Sequence, residues 1–242
     1  MEKAVSILSK KFPQGIGYDL VAFHASATVA DYVEAVEDFF TANRWSALRH
    51  EQKEQEGWGH CLGCPHCCSE RIPLTIGDVI TLTSLLPDGI ERPREGPVHS
   101  QDIALALDKF AHIDVVNGMV DITLKRNEQG QCYLFDEEGK RCSYHAWRPL
   151  VCRTFFCSYL SHRADKFRQR LINDGEDELV RFLLTFNLLP ELWQGKVSIE
   201  DYPETAWGKA YDQSNNVLPQ NIEKIVLLES FTASLGLVRI NR

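Results

Sequence analysis

From Thr28 the chain settles into a helical rhythm. Val29, Tyr32, Val33, Val36, Phe39 and Phe40 recur three and four apart, which predicts one apolar stripe along a helix that starts at Thr28 and Asp31. Charged residues take over beyond Arg49, and Gly57 is a reasonable stop, so a long helix delivers the chain to His60. "RIPLT" reads as extended. Thr75-x-x-Asp78 then opens a second helix through "IGDVITLTSLL", closed by the "PDG" turn at 87–89. "SQDIALALDKFAHI" predicts a third helix with Ser100 at its cap. "MVDITLKR" alternates as a strand should, and "QCYLF" and "RCSYH" flank "DEEGK" as a hairpin.

The last third predicts helices. "SHRADKFRQRLIND" breaks at Asp174-Gly175, and "EDELVRFLLTFNLLPELW" follows, apolar on more than one face as a buried core helix is. A final helix, "PQNIEKIVLLESFTASLGL", begins with Pro219 in the first turn, where proline is tolerated. The expected fold is therefore mainly α with a small β-hairpin. No composition break divides the chain, so residues 1–242 are expected to form a single domain, with 61–157 as an irregular metal-nucleated core and helical flanks at 1–60 and 158–242.

Composition changes this picture in two ways. At 242 residues the chain can bury a hydrophobic core without cross-links. No apolar run reaches the length of a membrane span, and no cleavage site follows a true apolar region near the N-terminus. The expected setting is the cytoplasm, with no membrane partner. The formal charge of −8 argues against nucleic acid. Arg163, Lys166 and Arg170 share one side of a predicted helix, and a solvated face explains them. "PQGIGYD" lacks G-x-G-x-x-G and no clear strand leads into it, so no dinucleotide or S-adenosylmethionine site is read there.

The chemistry lies in eight cysteines, in two groups of four: Cys61, Cys64, Cys67 and Cys68, then Cys132, Cys142, Cys152 and Cys157. In a reducing compartment, clustered thiols point to metal ligation before disulfides. Two sites, or one site with spare thiols, both fit the count. Cys61, Cys64 and Cys67 carry the C-x2-C-x2-C spacing that turns three thiolates toward one iron–sulfur cube, the fourth ligand coming from elsewhere in the chain. Cys68 directly follows, and suits a second site or a thiol beside the first. Cys132 and Cys142 can face one another across the hairpin. Cys152 and Cys157 lie about 140° apart on an ideal helix, so sharing a metal requires the helix to end between them. His60, His66 and His145 sit among the cysteines and are read as neighbours of the ligands.

Zinc knuckles usually pair two C-x2-C units, whereas this chain has one tight run and long gaps in its second half. That asymmetry favours an iron–sulfur cluster, of the cubane [4Fe–4S] form, with Zn²⁺ as the alternative. Arg148 and Arg153 are the candidate cofactor-binding residues, able to give charge-assisted bonds to sulfur; pairing with Asp136 or Glu137 is the alternative.

"CLGCPHCC", a helix with Asp78, and "CYLF…GKRCSYHAWRPLVCRTFFC" together resemble the bacterial CxxCxxCC (YkgJ-like) family of zinc- or iron-chelating proteins. Arg148, Pro149, Cys152, Arg153, Phe155 and Cys157 fall on its RP-x-x-C-R-x-F-x-C segment. The resemblance implies a metal-binding bacterial protein with all eight cysteines as metal residues. A flagellin lysine N-methylase carries a similar module, which keeps an enzyme role open. The functional expectation is a cysteine-ligated metal protein working in redox or enzymatic chemistry on an unnamed substrate. A zinc-stabilised interaction module and a metal delivery or sensing protein are its alternatives. A protein partner or a small-molecule substrate is equally open, and no catalytic residue is legible.

Overall fold

The computed structural model describes residues 3–13, 15–47, 66–86, 96–139, 141–155 and 159–240. Along the chain these form β1 (Val5–Phe12), β2 (Gly15–His24), α1 (Val29–Ala47), α2 (Ile76–Thr83), β3 (Val98–His99), α3 (Ser100–Phe110), β4 (Ala111–Val116) and β5 (Met119–Leu124). Then follow β6 (Phe135–Asp136), β7 (Arg141–Cys142), α4 (Leu150–Phe155), β8 (Tyr159–Leu160), α5 (His162–Thr185), β9 (Val217–Leu218) and β10 (Val238–Ile240), with short 3-10 turns between.

The expected mainly helical fold with one small hairpin is wrong. The described residues are 42% helix and 24% strand, spread over several sheets. The largest sheet is the one the sequence hid. β1 and β2 form an antiparallel hairpin whose register shifts between Ser6 and Ile7, and β2 takes β10 and β8 as parallel partners. Lys10 and Lys11 interrupt the alternation of β1, so its inward positions Val5 and Ile7 do not announce a strand. The parallel partners of β2 are distant in the chain, Gly17 lying opposite Tyr159 and Ala22 opposite Val238, which no local pattern encodes. "PQGIGYD", expected to lack a strand leading in, is the turn and start of β2 (its Gln14 lies outside the described residues). Gly17 is required there: a Cβ on it would lie 1.9 Å from the carbonyl oxygen of Tyr159, where β8 crosses.

The helix starts are local and were legible. The Thr28 amide and hydroxyl donate to Asp31 Oδ2 (2.7 and 2.8 Å), and the stripe from Val29 to Phe40 is buried throughout. Six large apolar side chains at roughly 1.5–3 kcal/mol each outweigh the cap, which is worth about 1 kcal/mol, so packing holds α1 and the cap sets where it begins. The expected continuation of this helix to Gly57 lies outside the described residues, as does the "PDG" turn. "RIPLT" is extended as expected and lines β5, with Leu74 N donating to Ile122 O and Leu124 N to Ile72 O (both 2.9 Å). The third helix caps one residue early, at His99, and "AHI" leaves it to become β4, the partner of β5.

Two further expectations fail. α5 runs unbroken through Asp174-Gly175. The glycine serves close packing: a Cβ at 175 would lie 2.8 Å from both Cβ and Cγ2 of Thr75. The C-terminal segment from Pro219 is not an α-helix but two 3-10 turns, Ile222–Lys224 and Leu228–Phe231. Leu218, Ile222 and Val226 are spaced four apart and all buried, a helical spacing met by an irregular chain. The predicted basic stripe is likewise put to structural use: Arg163 pairs with Asp19 (2.8 Å) and Arg170 Nη1 donates to the carbonyls of Phe231 (3.0 Å) and Ala233 (2.9 Å). One buried cluster joins the hairpin, α1, α2, α5 and the C-terminal turns around Trp207. Among the described residues, no helix is long and apolar enough to cross a membrane.

Candidate metal centre

Cys61, Cys64 and Cys157, with His60 and the side chains of His66 and Cys67, lie outside the described residues. The other cysteines fall on four small elements packed against the core. Cys68 is buried in the 3-10 turn His66–Ser69, Cys132 is buried in the loop before β6, Cys142 ends β7, and Cys152 lies in α4. No group of three or more metal-ligating side chains comes together among the described residues.

The two cysteine groups meet through the backbone. Cys132 N donates to Cys68 O at 2.7 Å, which pins the turn carrying Cys67 and Cys68 to the loop of the second group. In that loop, Leu134 N donates to Cys132 Sγ at 3.4 Å, and Phe135 N donates back to Cys132 O at 2.9 Å. The hairpin is smaller than expected: β6 and β7 pair over two residues, and Cys142 lies opposite Phe135, with Cys132 in the turn three residues earlier. Cys132 and Cys142 therefore belong to one short hairpin but are not cross-strand partners.

A buried ionic hub frames the second group. Asp78 Oδ2 accepts from Thr75 N and Oγ1 (2.9 and 2.8 Å), with Thr75 Oγ1 in turn accepting from Asp78 N (3.2 Å). The carboxylate's other oxygen accepts from Leu150 N at 2.6 Å, so one side chain caps α2 and α4 together. Burial raises the Asp78 carboxyl to about 6, against the pull of Arg153 and these amide bonds. Arg153 Nη2 lies 3.9 Å from Asp78 Oδ1, and both terminal nitrogens grip Glu223, Nη1 at 2.8 Å. Its Nε donates to Arg148 O at 3.0 Å. Burial works against the Arg153 charge, but Glu223 and Asp78 more than offset it and hold the guanidinium protonated.

Arg148 is buried and binds on two sides. Nη1 donates to His145 O (2.7 Å) and faces His145 Nδ1 (3.0 Å), which must accept because a guanidinium only donates. Nη2 lies 3.5 Å from Glu37 of α1. Both arginines thus meet carboxylates, Arg148 at Glu37 and Arg153 at Glu223 and Asp78. Glu37 and Glu223 lie 111 and 70 residues from their partners, with no pattern in the sequence to pair them. Asp78 carried a signal, as the N3 residue of a capping box; its second role, on Leu150, did not.

Residues 60–170 match the CxxCxxCC family model. Its description is "Putative zinc- or iron-chelating domain", and the match takes in all eight cysteines, both arginines and Asp78. No curated protein and no solved structure matches the chain. The CxxCxxCC segment thus holds the whole thiol set, while Glu37 and Glu223, which fix its arginines, come from the flanks.

The residues present suit a thiolate-bound metal. Cys132 offers a buried sulfur that already accepts a backbone N–H, the kind of contact that orients a metal-binding sulfur. Four thiolates around Zn²⁺ or a [4Fe–4S]²⁺ cube leave a net charge of about −2 in either case, so charge fits both metals.

Proposed function

We propose that this protein holds a [4Fe–4S] cluster ligated by Cys61, Cys64 and Cys67 with Cys132 from the second group, and works in redox or enzymatic chemistry. Cys68, Cys142, Cys152 and Cys157 then form a second metal site or a redox-active thiol set. The observation that carries this reading is Cys132: its sulfur accepts from Leu134 N, and its amide binds the carbonyl of Cys68, the residue next to Cys67. Hydrogen bonds to sulfur are among the protein's levers on cluster potential. The C-x2-C-x2-C spacing supplies the preference for iron over zinc.

When bound, such a cluster supplies one-electron transfer or a Lewis-acidic iron. The chain's own contribution is to hold the sulfurs still and dry. Leu134 N–H orients Cys132, Asp78 fixes the start of the Cys152 helix, and Arg148 and Arg153, which flank Cys152 in sequence, tie that helix to Glu37 and Glu223.

Anaerobic purification with a visible spectrum, and iron, acid-labile sulfide and zinc assays on one sample, tests this. A broad visible absorbance with matched iron and sulfide, lost in Cys132→Ser, is the expected result. Zinc alone, without colour after anaerobic reconstitution, would sink the iron–sulfur reading and leave a zinc-clamped module. Loss of the cluster in Cys68→Ser but not in Cys61→Ser would overturn the ligand grouping.

A further inference from the structure

We infer that Glu223, outside the CxxCxxCC segment, is a positioning residue of the metal centre, acting through Arg153 on the helix that carries Cys152. This rests on the form of the reading above in which Cys152 helps to hold a second metal site, so the metal release and spectrum measured below are those of that site. Three observations converge on it. Glu223 takes both terminal nitrogens of Arg153 in a two-pronged grip, the geometry that fixes a guanidinium plane as well as its place. The same guanidinium spans Cys152: its side chain leaves the backbone one residue after the cysteine, and its Nε returns to the carbonyl of Arg148, four residues before it. Arg153 also lies against Asp78, whose other bond starts α4 at Leu150. Moving Glu223 therefore moves the frame around Cys152, while Glu223 itself meets no cysteine through these bonds.

The approach of Glu223 is built into the fold. A Cβ on Gly77, in the first turn of α2, would lie 3.5 Å from Glu223 Oε1, 3.5 Å from Ile222 Cγ2 and 3.1 Å from the Trp207 ring. The absent side chain leaves room for the C-terminal segment to bring a carboxylate to the N-terminal end of α2, where negative charge is favoured. Both interacting carboxylates and the guanidinium are largely shielded, so the pairing is not a loosely held surface contact.

Groups that orient ligands from outside the first coordination sphere typically change metal affinity by about 10- to 100-fold when removed. The test is Glu223→Gln, which keeps the shape and removes the charge, set beside Glu178→Gln. Glu178 anchors the same C-terminal segment through Tyr211 (2.6 Å) and Thr205 (2.8 Å) without touching Arg153. Metal transfer to a chelator and the visible circular dichroism of the loaded protein are measured for wild type and both variants, with urea stability alongside. Glu223→Gln should release metal about 10- to 100-fold faster and shift the spectrum, beyond anything Glu178→Gln does at equal loss of stability. Equal effects in the two variants, or wild-type release and spectrum in Glu223→Gln, would overturn the positioning role alone. A wild-type chain that holds neither iron nor zinc would overturn both this role and the reading it rests on.

Discussion

At the scale of single residues, the molecule's chemistry is set by carboxylates placed where water is scarce. Asp78 serves two helices and an arginine from one buried side chain. Asp78→Ala removes every acceptor and leaves Arg153 half-paired, and should cost about 3–5 kcal/mol in urea unfolding. Asp78→Asn keeps an acceptor and should cost less; equal losses would show that the bonds to Thr75 and Leu150 do not matter. Glu176 on α5 makes a different prediction. Burial raises its carboxyl to about 7; Arg71 opposes this, and Asp121, Asp177 and Asp78 add to it. Arg71 helps little because Asp121 already takes its guanidinium, leaving Glu176 at 3.6 Å. The folded chain thus holds this proton more tightly than the unfolded chain does. The contribution to stability is complete below the unfolded value of about 4.3 and fades as pH rises through about 7. Glu176→Gln should match wild type near pH 4 and exceed it at pH 8 by on the order of 2 kcal/mol, after allowing for the lost, partly exposed Arg71 contact. Some fall through pH 6 should persist in the variant, because Asp78 titrates in the same direction.

At the scale of elements, legibility followed the range of the forces. Thr28–Asp31 and Thr75–Asp78 were readable because a cap and its partner lie three residues apart. The β1–β2 sheet was not, since β2 is completed by strands from the far end of the chain. Pro219 misled because a proline followed by apolar residues four apart looks the same whether the chain winds or turns. Of the candidate site, the candidate thiols and arginines could be named from the sequence; the carboxylates that hold those arginines could not. Gly175 shows how one residue supports opposite readings. In a helix interior, Gly→Ala ordinarily gains about 1 kcal/mol. Here the new Cβ would meet Thr75, whose hydroxyl is held in the α2 cap, and would lie 3.3 Å from the rigid Trp207 ring. Overpacking of about 1–3 kcal/mol should win, so Gly175→Ala is expected to lower the urea midpoint. A raised midpoint would mean that α2 shifts freely against α5.

At the scale of the whole molecule, the largest core side chains come from parts of the chain other than the thiol set, although Cys68 and Cys132 are buried in the same cluster, and this decides what metal removal should do. The buried cluster draws its largest side chains from β2, α1, α5 and the C-terminal turns: Tyr18, Tyr32, Phe167, Phe182, Trp207 and Phe231. None of these needs a metal to be buried, and a chain of this length can hold a core by hydrophobic burial alone. The cysteine-bearing pieces are the reverse. β6 and β7 share two residue pairs, α4 is six residues long, and the loop of Cys132 is tied in by a few backbone bonds. A two-residue hairpin and a six-residue helix are far below the lengths that hold themselves together. Under the metal-thiolate reading, anaerobic chelation should therefore leave the chain folded, with local loss around 132–143 and 150–155. Hydrogen exchange measures this directly: amides of β1, β2, α1 and α5 should keep their protection, while Leu134, Phe135 and Ser143 exchange at least ten times faster. Thermal stability should rise with free metal concentration in the loaded form, as binding to the folded state alone requires. Global unfolding on chelation would place the metal inside the core's own energetics, and unchanged exchange at Leu134 would remove Cys132 from the ligand set.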